Sequence, residues 1–425
     1  MNKHEPIVVF EHESIHVDRR NNKLTADQLK ALQTFYGDKG VPYYSLIHNG
    51  VRFCEYVGVI QVGNMVIEVL PKADKSSDDA TKTKWKKLLI DMLRAVGLFD
   101  IHAPSSTSLK LKSNSILDLY FELYLKELEY LLHRGLVKRY RKTEGNTTAL
   151  KGSLQFSKHI QQNLVHQERF YVRYTTYDTQ HTIHSILYKA LKLLKQINTK
   201  STLHSRIGAL MLNFPEMTDI KVTEATFEKI TYNRKDEHYQ KALEIARLIL
   251  LNYHPDVSSG RNHVLALMFD MNLLWEQFVY ASIRKQLKKH HPNYTITSQV
   301  PKYFWKPKNG YSSRMIPDIV INKDSEKGDC IVLDTKWKNL NGYNPSPEDL
   351  RQMYVYHEYF GAKKVALIYP CTEGESKITS GSYFIANSKD NQESDKECSV
   401  ISVATKPNIK DWQDNIFEEI NKWTK

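Results

Sequence analysis

A chain of 425 residues, 41% hydrophobic and 25% charged, is long enough for two or three sizeable cores and has an ordinary globular balance. No apolar run approaches the roughly 20 residues that cross a bilayer, and the opening "MNKHEPIVVFEHES" lacks the apolar segment of a signal peptide, so a cytoplasmic protein is expected. The net charge of +12 suits a polyanionic partner but equally describes a solvated face, and the scattered Cys54, Cys330, Cys371 and Cys398 form neither a CxxC zinc pair nor a disulfide framework.

In chain order, residues 1–72 read as a β-rich region, because "VRFCEYVGVIQVGNMVIEVLPK" alternates Val and Ile runs around a Gly63-Asn64 turn. The polar stretch 73–84 reads as a loop, and apolar residues at helical spacing follow over 85–99. A stronger helix, "ILDLYFELYLKELEYLLHR", ends at Gly135, a suitable C-cap. Further helices are expected around 182–196, 201–213 and 238–252. Residues 84–260 are thus mostly helical, interrupted by a basic excursion over 134–173 with nine Lys or Arg against two acidic residues. Pro, Ser and Gly cluster at 254–262 and mark a second boundary. Beyond it, 261–425 reads helix, strands, hairpin, helix, strand. The fold expected is multidomain α+β: a β-rich N-terminal region, a helical middle and a C-terminal α/β domain.

The chemistry concentrates in "PDIVINKDSEKGDCIVLDTKWK", residues 317–338. Two apolar runs flank a polar turn and read as a hairpin of buried strands, yet Asp318 opens the first while Asp334 and Lys336 close the second. Residues two apart on a strand share a face, so Asp334 and Lys336 project together, and antiparallel pairing puts Asp318 beside Asp334. Two carboxylates with the Thr335 carbonyl make a hard-oxygen site suited to Mg²⁺. A neighbouring lysine can position or deprotonate a water that attacks a phosphoryl centre. Charged turn residues capping a buried strand would explain this short pattern structurally. Three further features favour chemistry: Glu276 within the apolar helix "FDMNLLWEQFVYASIRKQL", Gln352 and Tyr356 four apart on "DLRQMYVYHEYF", and the apolar strand "KKVALIYP" directly after it.

With that helix-hairpin-helix-strand order, residues 266–370 resemble the PD-(D/E)xK nuclease superfamily. Asp318, Asp334 and Lys336 match its motif, Glu276 its upstream acidic position, and Gln352 and Tyr356 the QxxxY pattern of its RecB-like branch. More narrowly, the chain is similar to the McrC family of McrBC-type modification-dependent restriction systems. The likeness runs through "VGVIQVGNMVIEVLPK", "LKGSL", "FDMNLLWEQFV", "MIPDIVI", "VLDTKWK" and "DLRQMYVYHEYFGAKKVALIYP", in family order over residues 57–370. The chain departs from the pattern after 371, where "SYFIANSKDNQESDKECSV" reads as an insertion or variable tail.

The resemblance implies a Mg²⁺-dependent endonuclease acting on modified double-stranded DNA in anti-phage defence. It implies docking, through residues 1–72 and 84–260, onto a hexameric McrB-like AAA+ partner that binds GTP and whose GTP hydrolysis is stimulated. In keeping with this, the chain has no Walker A loop: in "GNTTALKGS" Gly152 follows Lys151 instead of preceding it. The basic excursion, with Arg139, Arg141 and Lys142, is a candidate for contact with the motor or with DNA phosphates. Asp318, Asp334 and the Thr335 carbonyl would hold the metal, with Glu276 adding a water-mediated contact, Lys336 acting on the water, and Gln352 and Tyr356 fixing DNA or the site. Two alternatives are an adaptor that binds DNA without cutting, which would tolerate Lys336→Ala, and a stand-alone RecB-like nuclease, which would cut without a partner. His181 and His184 are spaced to share a metal but lack an evident third ligand, and His290-His291 suit a helix C-terminus. The many tyrosines show no repeating basic-aromatic arrangement, so no base-stacking platform is read.

Overall fold

The computed structural model describes residues 6–17, 24–71, 79–96, 116–254, 263–323, 329–340, 344–372, 374–385, 390 and 392–425. The chain forms two compact units, Met1–Asp100 with Met268–Lys425, and Ile101–Leu267. The sequence-drawn boundary at 254–262 lies almost wholly outside the described residues.

The first unit begins with β1 (Ile7–Phe10), β2 (Ser14–His16), α1 (Ala26–Tyr36), β3 (Tyr44–Ile47), β4 (Gly50–Phe53), β5 (Tyr56–Val62), β6 (Met65–Leu70) and α2 (Asp79–Ala95). The expected β5–β6 hairpin is present, antiparallel with Val62 opposite Met65 and Gly63 at φ +56° in the turn. β1 joins β6 in parallel, and β2, β4 and β3 form a separate small sheet. Unread in the sequence was α1, which a capping box starts: Thr25 and Gln28 satisfy each other's backbone amides. The polar stretch 73–84 is corrected too. Helix α2 already begins at Asp79, because polar residues suit its solvent face as long as Trp85, Leu88, Leu89 and Met92 line the buried one. Its expected end at 97–99 lies outside the described residues.

The second unit contains α3 (Ile116–Arg134), β7 (Arg139–Thr147), β8 (Ser153–Leu154), α4 (Phe156–Asn163), β9 (Phe170–Asp178), α5 (Thr182–Ile197), α6 (Ser201–Asn213), α7 (Glu224–Glu228), α8 (Gln240–Leu251) and β10 (Tyr253–His254). The chain then passes back to the first unit within β11 (Val264–Asp270). The basic excursion is a three-stranded sheet in which β7 and β9 pair along their whole length, from Arg139↔Asp178 to Thr147↔Phe170. His181 and His184 stack at 3.9 Å between ring centroids, but both ring nitrogens of His184 are engaged: Nδ1 with the Thr179 carbonyl at 2.7 Å and Nε2 with the Tyr239 hydroxyl at 2.9 Å. They are packing residues; a shared metal would have to displace those bonds.

Burial, then the neighbouring His181, holds His184 well below the ordinary histidine range, at about 4. A depressed histidine pKa means the folded state prefers the neutral ring. Stability is therefore full above about pH 6.5 and declines as pH falls toward 4. Between pH 7 and pH 5 this one ring should remove about 2 kcal/mol. Urea unfolding of wild type and His184→Gln at both pH values isolates the ring: the wild type's advantage over the variant should shrink by about that much between pH 7 and pH 5, and a constant difference would assign the effect to other groups.

On return to the first unit come α9 (Met271–His290), β12 (Ile296–Ser298), β13 (Lys302–Trp305), β14 (Ser313–Met315), β15 (Ile319–Ile321), β16 (Ile331–Thr335), α10 (Pro347–Phe360), β17 (Lys364–Cys371), β18 (Lys377–Phe384), β19 (Glu393–Ala404) and α11 (Ile409–Thr424). A six-stranded sheet runs β12-β15-β16-β17-β19-β18. β15 and β16 are antiparallel, whereas β17 lies parallel to both β16 and β19. The region after 371 is thus no appendage. β19 flanks the central β17, and Trp412 of α11 packs on Trp275 and Phe278 of α9 at centroid distances of 5.4 and 5.0 Å.

Residues 1–72 and 268–425, the latter nearly all of the region 261–425 read from the sequence as separate, fall within the same unit. Trp337 is one of the residues that join them. Its indole nitrogen donates to Glu11 Oε1 at 2.8 Å, and its ring meets Trp85 and Trp275 edge-on at 6.0 and 5.5 Å.

Candidate active site

The β15–β16 hairpin brings its terminal charges together. Ile319 faces Leu333 in the antiparallel register, which brings Asp318, just before β15, to the end of β16 that carries Asp334 and Thr335. Asp318 Oδ2 accepts from the Thr335 amide at 2.7 Å and from the Thr335 hydroxyl at 2.8 Å. Thr335 therefore orients Asp318 through its amide and side chain. Asp334 is 1% exposed and pairs with Lys336 Nζ at 2.7 Å. The same ammonium reaches Gln352 Oε1 at 3.4 Å and Asp349 at 3.9 Å.

The two flanking helices complete the cluster. On α9, Glu276 is 7% exposed and accepts from Gln299 Nε2 at 2.7 Å. On α10, Gln352 donates to the Tyr356 hydroxyl at 2.8 Å, which in turn donates to the Ile316 carbonyl at 3.2 Å, two residues before Asp318. Helical i,i+4 spacing thus ties α10 both to Lys336 and to the segment that delivers Asp318. All six side chains read from the sequence as site residues, carried by α9, β16, α10 and the segments that precede β15 and follow β16, are linked by contact or by charge.

The electrostatics reflect that crowding. Burial first, then the charges of Asp318 and Asp334, pushes Glu276 up to about 7. Burial and the neighbouring Asp318 push Asp334 up to about 6, and burial also raises Asp318 against the pull of its Thr335 bonds. Burial alone would lower Lys336, but Asp334 and Asp349 outweigh it and hold the ammonium above the ordinary lysine range. Among the described residues no three His, Cys, Asp or Glu side chains are gathered closely enough to enclose a metal ion by themselves. Two carboxylates suffice for Mg²⁺, which keeps several waters and takes the rest of its oxygen ligands from phosphate. Buried, like-charged carboxylates with raised pKa values are the donor set such a cation would stabilise.

Two participants carried no readable signal. Gln299 follows β12 in the left-handed region at φ +54°, where its amide bonds the Asp318 carbonyl at 3.0 Å while its side chain holds Glu276. Asp349 takes Lys338 at 2.7 Å and is the second carboxylate facing Lys336. A general acidic residue in the first turn of a helix looks like dipole compensation, which masks such a role. In the other unit, Arg139 pairs with Asp236 at 2.5 Å and Arg141 with Asp178 at 3.1 Å. Lys142, exposed on the same strand, is the member of that trio with no ion pair among the described residues.

The mixed α/β fold is shared with a chain of an assembled restriction complex. A chain of the half-complex from a tetradecameric assembly of Thermococcus gammatolerans McrB AAA+ hexamers with bound McrC shares the fold at TM-score 0.70 and 21% identity, over 98% of this chain and 100% of that one. A chain of the Thermococcus gammatolerans McrBC complex matches 66% of this chain and 88% of its own length, at TM-score 0.49 and 20% identity. No curated protein matches. The family of McrBC 5-methylcytosine restriction system components matches residues 51–370, most of the sequence, and the chain belongs to that family.

Proposed function

We propose that this protein is the endonuclease subunit of a McrBC-like restriction complex, cleaving modified DNA with Mg²⁺ while docked on a hexameric AAA+ GTPase whose hydrolysis it stimulates. The observation that carries the reading is the convergence of Asp318, Asp334, Lys336 and Glu276 at one sheet edge, braced by Gln352 and Tyr356. The bound partner of the structurally similar McrC supports the second half.

In this reading Asp318 and Asp334, with the Thr335 carbonyl, would hold the metal. A bound Mg²⁺ would polarise the scissile phosphate and stabilise charge developing on its oxygens. Thr335 fixes the orientation of Asp318 through its amide and hydroxyl. Lys336, kept protonated by its two carboxylate neighbours, orients the attacking water and stabilises negative charge in the transition state more readily than it removes a proton. Glu276, its carboxyl pushed up to about 7, can accept a proton from water near neutral pH. Gln352 locks the ammonium toward the site. Asp349 faces the same ammonium at 3.9 Å.

Co-purification with a GTP-hydrolysing AAA+ partner, followed by cleavage of methylated and unmethylated plasmid under Mg²⁺ and GTP, tests the assignment. Cutting of methylated plasmid only in the presence of partner and GTP is expected; cutting by the isolated chain would point to a stand-alone nuclease. Metal binding has its own signature. The raised carboxylates favour the protonated folded state, so their contribution to metal-free stability declines as pH rises from about 4 through 7. Mg²⁺ relieves that repulsion only when the groups are ionised. Thermal unfolding should therefore shift upward by several degrees on adding Mg²⁺ at pH 8 and hardly at all at pH 5.5. An equal shift at both pH values would place the cation elsewhere.

A further inference from the structure

The β13–β14 hairpin lies immediately before the strand that presents Asp318 and is not explained by the site itself. Between Gln299 and Pro317 the sequence has four basic residues, Lys302, Lys306, Lys308 and Arg314, and no acidic one. The hairpin is a separate two-stranded sheet, with Tyr303 opposite Arg314 and an irregular register toward Trp305. It exposes aromatic rings to an unusual degree: Trp305 is 57% and Tyr311 99% exposed. Each of the other five tryptophans is at most 9% exposed. Lys306, Lys308 and Arg314 have no ion-pair partner among the described residues, and the Arg314 guanidinium instead lies 5.5 Å from the Tyr303 ring centre.

The hairpin is nonetheless held in place beside the site. Phe304 meets Tyr359 edge-on at 6.4 Å, and Lys302 Nζ donates to the Tyr359 carbonyl at the end of α10. The strand β14 runs into the Ile316 carbonyl held by Tyr356, and from there into Asp318. A rigid base with an uncovered basic and aromatic surface calls for a ligand that is both polyanionic and able to stack. Uniform positive charge disfavours a second copy of the same hairpin against it.

We infer that this hairpin is a second nucleic-acid contact, flanking the cleavage site. Lys306, Lys308 and Arg314 take backbone phosphates beside the scissile bond, and Trp305 and Tyr311 stack on bases that are unstacked there. The inference rests on the nuclease reading of Asp318, Asp334 and Lys336, and adds how the substrate is gripped next to them.

The test uses the full chain in EDTA, so that binding is read without cleavage, with short fluorescein-labelled duplex and single-stranded oligonucleotides. Trp305→Ala combined with Tyr311→Ala should weaken binding about tenfold or more and leave the salt dependence intact. The triple variant Lys306→Ala, Lys308→Ala, Arg314→Ala should weaken it and reduce the slope of log K against log salt by about 2 to 3. Oligonucleotide should quench intrinsic tryptophan fluorescence in the wild type and not in Trp305→Phe, since Trp305 is the exposed tryptophan. Unchanged affinity and slope in both multiple variants would overturn the inference. So would unchanged DNA affinity with altered sedimentation of the protein alone, which would make the hairpin a protein–protein surface. A wild type that binds through the hairpin yet never cleaves with its partner would instead sink the nuclease reading and leave the contact standing.

Discussion

Asp334→Asn should abolish DNA cleavage, with a loss of about 10³-fold or more, while leaving stimulation of the partner's GTP hydrolysis intact. The amide is the same size and keeps the strand, but it cannot hold a divalent cation as a carboxylate does, and it removes the charge facing Lys336 at 2.7 Å. Structural collapse is the usual confounder for a residue only 1% exposed. Here the electrostatics separate the two. Burial and Asp318 push the wild-type carboxyl up to about 6, so at pH 8 the folded protein carries an unfavourable buried charge that asparagine lacks. The metal-free variant should then melt no lower than the wild type at pH 8, and the upward shift with Mg²⁺ should vanish. Retained cleavage at full stability would remove Asp334 from the chemistry. Lost cleavage with lost stability would make it a structural residue.

Trp337→Ala should destabilise the first unit by about 3–5 kcal/mol, the range for truncating a large core aromatic. The indole is 9% exposed, lies edge-on to two other tryptophans and donates a hydrogen bond to Glu11, 326 positions away. Trp337→Phe preserves most of the packing and removes the N–H, so its cost should fall to about 1–3 kcal/mol. Urea titration of both variants gives the comparison. A loss below about 1 kcal/mol in the alanine variant would show that the two stretches of sequence in this unit hold together without it.

The site was legible where its signals are local. Two apolar runs around a polar turn in 317–338 indicated the hairpin, its register put Asp318 beside Asp334, and spacing of four placed Gln352 with Tyr356. What escaped were relations without local pattern. Gln299 reaches Glu276 through a left-handed backbone position that no side chain announces. Strand β18 is polar and largely exposed, so it looked like a variable tail although β19 sits deep in the sheet. Helix α1 was readable from its Thr25 and Gln28 box, but the surrounding Val and Ile runs drew the whole region toward strand. The basic and aromatic residues of 302–314 were likewise readable. Scattered tyrosines hid them, because only the fold shows which rings are left uncovered.

Lys336 and Trp337 are consecutive residues that face opposite ways. One side chain ends among the carboxylates of the cluster, and the other ends among Glu11, Trp85 and Trp275. A single peptide plane therefore serves two assemblies at once, and its stiffness leaves little room for one to move without the other. A change near β1 that shifts the Trp337 indole would then be expected to change where the adjacent ammonium points. Substitution of Glu11 should accordingly register first in turnover, at a position no inspection of the cluster itself would single out.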